Sequence, residues 1–95
     1  MPYAFLQRVP ATEEIYAELR EKLGNDKPEG LIVHIARTVD GGLEYTDVWE
    51  TEAAWLSFRD NTLEPAVDEL LAGYGIPHTH DAVTSEPIDV VDVWI

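Results

Sequence analysis

Cysteine is absent from this chain, and with it go any disulfide framework, any thiolate nucleophile and any cysteine-ligated zinc or iron–sulfur centre. Redox chemistry therefore has to use a bound cofactor or the substrate itself. Basic residues are scarce: six Lys and Arg stand against nineteen Asp and Glu, a formal charge of −13. A surface of that sign repels nucleic-acid phosphates and anionic membranes, so neither is an expected partner. No apolar run approaches the ~20 residues that span a bilayer. The opening stretch from Met1 to Arg8 has no basic segment followed by a long apolar one. The expectation is a soluble, cytoplasmic protein. A Gly-rich phosphate loop, a nucleophile elbow and a paired-carboxylate signature are also missing, which leaves nucleotide-binding and hydrolase readings without support.

Apolar residues make up 45% of the 95 and charged residues 26%, the balance of a folding chain rather than a disordered one. The length suits one domain, spanning residues 1–95, with a thin core. Tyr3 to Val9 reads as a strand that Pro10 stops. Thr12 is a candidate N-cap for a helix with Glu13 and Glu14 in its first turn; Ile15, Leu19 and Leu23 recur along one face with Tyr16 beside them, and Gly24-Asn25 ends it. Leu31 to Thr38 and Leu43 to Trp49 are strands joined by the hairpin signal Val39-Asp40-Gly41-Gly42. Thr51 caps a helix holding Trp55 and Phe58. Asp60-Asn61-Thr62 interrupts or re-caps it, and a second segment follows with Leu63, Ala66, Val67, Leu70 and Leu71 on one stripe, closed by Gly73 and Gly75. After a connection from Ile76 to Pro87, with a short strand suggested around Ala82 to Thr84, Ile88 to Ile95 reads as the final strand.

The order β-α-β-β-α-β is that of the ferredoxin-like split unit: a four-stranded antiparallel sheet with both helices on one face. That leaves the other face to water. Yet Leu31, Val33 and Ile35 alternate with Ile32, His34 and Ala36, and Ile88, Val90 and Trp94 alternate with Val91, Val93 and Ile95, so both faces carry large apolar groups. Exposing about six of them at ~1.5 to 3 kcal/mol each would consume most of a small domain's stability. A homodimer burying that face is the expected remedy.

The topology, the length and the segment Asp47-Val48-Trp49-Glu50-Thr51-Glu52-Ala53-Ala54-Trp55 together resemble the dimeric α+β barrel proteins of the antibiotic-biosynthesis-monooxygenase-like group. A strand ending in aromatic-acidic-Ser/Thr-acidic and running into a helix is typical there. The resemblance implies two sheets packed face to face as a barrel and a pocket between each subunit's sheet and helices. Its members include cofactor-independent monooxygenases that form quinones. The haem-degrading branch carries a helix Trp, a helix His and a strand Asn, where an overlay puts Phe58, Asp68 and Gln7. The iron ligand is missing, so the resemblance does not extend to haem degradation.

The hairpin permits a geometric inference without any family. In a two-residue loop of Asp40-Gly41 or Gly41-Gly42, paired positions have opposite parity, so His34 shares a face with Tyr45, Asp47 and Trp49. In the first register His34 lies opposite Asp47; in the second it lies opposite Trp49, with Asp47 one diagonal step away. An imidazole in an apolar strand, oriented by a carboxylate, suits a general base. It suits equally a core histidine satisfied by one hydrogen bond. Tyr45, Trp49, Trp55, Phe58 and Tyr74 are candidate walls of an aromatic pocket, or core. Arg37 and Arg59 are candidate anchors for a substrate carboxylate, or members of surface ion pairs. His78, His80 and Asp81 form a partial metal-ligand set in a loop with no further ligands placed, so no metal site is assigned.

Two functions remain. One is a cofactor-independent monooxygenase acting on a small aromatic or polyketide-like molecule, with His34 as base, Asp47 as its orienter, and Tyr45, Trp49, Trp55, Phe58 and Arg59 around the substrate. The other is a barrel that binds or sequesters a metabolite without turning it over.

Overall fold

The computed structural model describes residues 2–75 and 84–94. Strands β1 (Tyr3–Val9), β2 (Leu31–Val39), β3 (Gly42–Trp49) and β4 (Thr84–Ile88) form one antiparallel sheet in the order β2-β3-β1-β4. Helices α1 (Glu13–Leu23), α2 (Glu52–Phe58) and α3 (Glu64–Gly73) complete the ferredoxin-like unit. The starts of α1 and α2 have a local cause. The hydroxyl of Thr12 accepts from the Ile15 N–H and that of Thr51 from the Ala54 N–H, both at 3.1 Å, satisfying donors that a first turn leaves free. Helix α1 stops at Gly24, whose φ of +85° suits a residue without a Cβ.

The hairpin takes the first of the two registers. Val39 pairs with Gly42 across Asp40-Gly41, and the ladder runs on to place His34 opposite Asp47. Asp40 keeps a negative φ, while Gly41 and Gly42 adopt positive ones, +84° and +157°. Further along, a bulge at Ile32 shifts the ladder, so that Leu31 pairs with Trp49 and turns onto the same face as His34. Strict alternation would have put Leu31 with Val33 on the opposite side. The bulge instead sends it to the core.

Asp60-Asn61-Thr62 does not break the helix. Arg59–Leu63 forms a π-helical turn that joins α2 directly to α3. These polar residues are weak helix formers, and the wider turn absorbs them while Phe58 and Leu63 both stay packed against the core.

The last strand is the main departure from expectation. It runs Thr84–Ile88, not Ile88 to Ile95, although Ser85, Glu86 and Pro87 are poor strand formers. Pairing with β1 decides it. Ala4 meets Ile88, and Pro2 lies just beyond, where it has no N–H to extend the ladder. Pro87 is tolerated because β4 is an edge strand. Residues 89–94 therefore leave the sheet, with Val91 100% and Trp94 93% exposed.

The core lies between sheet and helices, built on Phe5, Trp49 and Trp55. The opposite face carries, by register, Leu6, Val33, Ile35, Val48 and Ile88. Ile35 is half exposed.

Candidate functional site

Three adjacent strands set one row of side chains on the helix-covered face: Phe5 on β1, Asp47 on β3 and His34 on β2. Neighbouring rows add Trp49 on one side and Tyr45 on the other. Asp47 is buried, and both its oxygens are engaged. Oδ1 accepts from His34 Nδ1 at 2.6 Å, and Oδ2 accepts from the indole Nε1 of Trp49 at 3.1 Å. A carboxylate has no proton to give, so in the neutral imidazole the Nδ1 carries the hydrogen and Nε2 presents a lone pair. That lone pair receives the hydroxyl of Tyr16, 2.8 Å away on α1. Trp49, Asp47, His34 and Tyr16 thus form one unbroken chain of hydrogen bonds from the core to the helix layer.

Tyr16 was not identified from the sequence. The stripe Ile15–Leu19–Leu23 marks α1's inner face, and Tyr16 borders it; only the placement of α1 over β2 brings its hydroxyl to His34. Tyr45 completes the group, its ring centroid 5.3 Å from His34 and 5.6 Å from Tyr16. Burial raises the pKa of both phenols above the ordinary value of 10.0, that of Tyr45 strongly, and the Asp47 charge adds to the effect. Both stay neutral in ordinary buffers, and Tyr16 donates its hydroxyl proton to Nε2 of His34.

The aromatic residues expected around a pocket divide into two sets. Trp49, Trp55 and Phe58 pack on one another and on Phe5 with centroids 4.8 to 6.5 Å apart. They fill the core. Trp49 also reaches the polar group through its indole N–H, while Tyr45 belongs wholly to that group. The remaining candidates lie elsewhere. Arg59 bonds the neighbouring Asp60 at 2.9 Å, and Arg37 clasps Glu44 through two nitrogens. Tyr74 is half exposed and donates to Glu18, pinning α3 to α1. His78, His80 and Asp81 fall outside the described residues, and among the described residues no three metal-ligating side chains cluster.

A separate open cleft of about 690 Å³ lies where the loop after α1 faces α2 and the π-helical turn. Phe58 forms part of its wall, with Arg20, Lys27, Gly30 and Asn61. It touches the aromatic core, not His34.

In sequence the chain matches no family model and no curated protein. In structure it is similar to a protein of unknown function from Nitrosomonas europaea at TM-score 0.68, 12% identical, over 99% of this chain and 93% of that one. It is similar to SnoaB, a cofactor-independent oxygenase from Streptomyces nogalater, at TM-score 0.62, 12% identical, over 97% and 95%. A Streptomyces coelicolor monooxygenase crystallised with nanaomycin D matches at TM-score 0.57, 13% identical, over 99% and 90%. The chain has the fold of the antibiotic biosynthesis monooxygenases. Several further structural neighbours carry that name, at 14 to 21% identity. Such a likeness carries the fold, and the chemistry has to be argued from the side chains. Among the described residues no helix is long and apolar enough to cross a membrane.

Proposed function

We propose that the protein is a homodimer that binds a small aromatic or polyketide-like molecule and oxygenates it without a cofactor, with His34 as general base and Asp47 as its orienter. The observation that carries this reading is the Asp47–His34 bond of 2.6 Å, which leaves Nε2 as the proton acceptor of a neutral imidazole. An electron-rich phenol or an activated C–H that loses its proton to Nε2 becomes an anion able to reduce dioxygen. The imidazolium formed is stabilised by the buried carboxylate beside it. Sharing a fold with a cofactor-independent oxygenase supports the reading. Tyr45 and Trp49 border the base, and Trp55, Phe58 and Arg59 stand further off as substrate contacts.

The dimer has its own support. Leu6, Val33, Ile35, Val48 and Ile88 share the sheet face opposite the core, and Val91 and Trp94 are almost fully exposed among the described residues. A second copy would bury both. Sedimentation of untagged protein at low micromolar concentration should give twice the 10.7 kDa chain mass; a folded monomer would remove this part of the proposal.

One observation favours the second reading, a barrel that binds a metabolite without turnover: the open cleft beside Phe58 does not reach His34. Oxygen uptake with a panel of polycyclic phenols separates the two. Substitution His34→Ala should lower turnover about 10²- to 10⁴-fold, the usual contribution of a positioned base, with a modest loss of binding. Turnover that survives the substitution would end the assignment of His34, and binding with no oxygen uptake at all would favour the sequestering barrel.

A further inference from the structure

The base of the candidate site is already occupied. Its one available lone pair, on Nε2 of His34, is taken by a phenol of the same chain. The Tyr16 and His34 ring planes are 17° from parallel, with the phenol oxygen and Nε2 2.8 Å apart. The separation is that of an ordinary O–H···N hydrogen bond. A second hydroxyl cannot donate to Nε2 while the first remains.

We propose that Tyr16 is a specificity-determining residue: its phenol stands where a ligand's phenolic hydroxyl binds to His34, and it yields that place when such a ligand enters. The inference rests on the reading of His34 as the base. Three observations support it beyond the bond itself. Tyr16 belongs to α1, which has no fully buried residue, so its side chain has a route to move. The space it would vacate is walled by the ring of Tyr45, a flat surface for an aromatic guest. The half-buried Tyr16 phenol is also a weaker acid than ordinary, so it rests against the base without surrendering its proton, whereas a more acidic phenol in the same position gives its proton up. In that step the ligand O–H bond breaks and an Nε2–H bond forms. The phenolate then accepts a hydrogen bond from the imidazolium, and Tyr16 keeps its own proton. Molecules with no hydroxyl gain nothing by displacing Tyr16 and are rejected.

The test uses protein labelled with ¹⁵N at histidine and ¹³C at the tyrosine Cζ, with 1-naphthol as probe and 1-methoxynaphthalene as control. In the wild type, 1-naphthol should move the signals of His34 Nε2 and Tyr16 Cζ together, and the control should move neither. Removing the competitor with Tyr16→Phe should tighten 1-naphthol binding by about 2- to 12-fold, the equivalent of one net hydrogen bond, and leave the control unchanged. If 1-naphthol shifts Nε2 while Tyr16 Cζ stays fixed and Tyr16→Phe does not tighten binding, the role of Tyr16 is overturned and His34 keeps its assignment. If 1-naphthol moves Nε2 in neither protein, the phenol site at His34 falls, and Tyr16 with it. The wild-type measurement decides the matter even where the variant folds poorly.

Discussion

The helix-covered face of the sheet is filled in two ways. Around Phe5, Trp49 and Trp55 it is dry: rings pack on rings, and the indole N–H of Trp49 is turned toward Asp47. A few ångströms away, around His34 and Tyr45, every side chain carries a polar group and each of the buried ones has a partner. The dry half is tolerant in composition but exacting in volume, because its energy comes from area removed from water and from close contact. The wet half is tolerant in volume but exacting in partnership, because an abandoned buried donor or carboxylate costs far more than the bond it made. Chemistry belongs in the second kind of environment, where a proton already has a defined path.

The largest test of that contrast lies in the dry half. Trp55→Ala should cost about 3 to 5 kcal/mol, read as a fall in the urea midpoint at an unchanged slope, since the cavity cannot be filled by rotating the neighbouring rings. A loss below 1 kcal/mol would mean that the aromatic core is loosely packed.

The next effect comes from the join between the halves. Asp47→Ala abandons both the Trp49 indole and the His34 Nδ1–H. It should cost about 2 to 4 kcal/mol, near the sum of two unsatisfied or weakened donors. Trp49 is the indole in contact with the carboxylate, so the near-ultraviolet circular dichroism should change as well. The same substitution should free the imidazole to exchange tautomers, visible in its ¹⁵N signals. Unchanged nitrogen shifts would show that Asp47 does not set the tautomer.

The smallest effect belongs to the opposite face, where Glu44 lies between Arg8 and Arg37. Hydrogen bonds from the two guanidiniums hold its carboxyl below the usual 4.5. A depressed folded value stabilises the chain above the unfolded one, and that contribution is lost as pH falls through the folded value. The urea midpoints of wild type and Glu44→Gln should differ slightly at pH 7 and converge under acid. Exposed guanidiniums keep the difference small; a gap that persists at the acid end would show that the carboxyl's charge is not its source.

How much of this was legible in advance follows the range of each interaction. The Thr12 and Thr51 caps, the hairpin and the face that His34 shares with Asp47 are legible because each depends on residues close in sequence, or on the parity that a tight turn imposes; which of the two registers the hairpin takes, and so whether Asp47 lies opposite His34, is not. The Ile32 bulge and the π-helical turn at Arg59–Leu63 were not, since each is a local defect that only packing of Leu31, Phe58 and Leu63 against the core makes worthwhile. The final strand lies earlier than its Val- and Ile-rich composition predicts, because pairing outweighs propensity. Residues 89–94 have the right propensity, but Pro2 ends the ladder that would have received them.

By itself the sequence determined an acidic, cysteine-free split β-α-β domain, and the sheet face that His34 shares with Asp47, because period-2 alternation and a two-residue turn are short-range facts of covalent geometry. Only the tertiary structure decided that Trp49, Trp55 and Phe58 pack on one another beside Phe5, and that Tyr16 closes the chain of hydrogen bonds on Nε2. The distance from a helix hydroxyl to a strand imidazole depends on how α1 lies across the sheet. That angle is a compromise among all the side chains between the two layers, and no periodicity in the sequence encodes it.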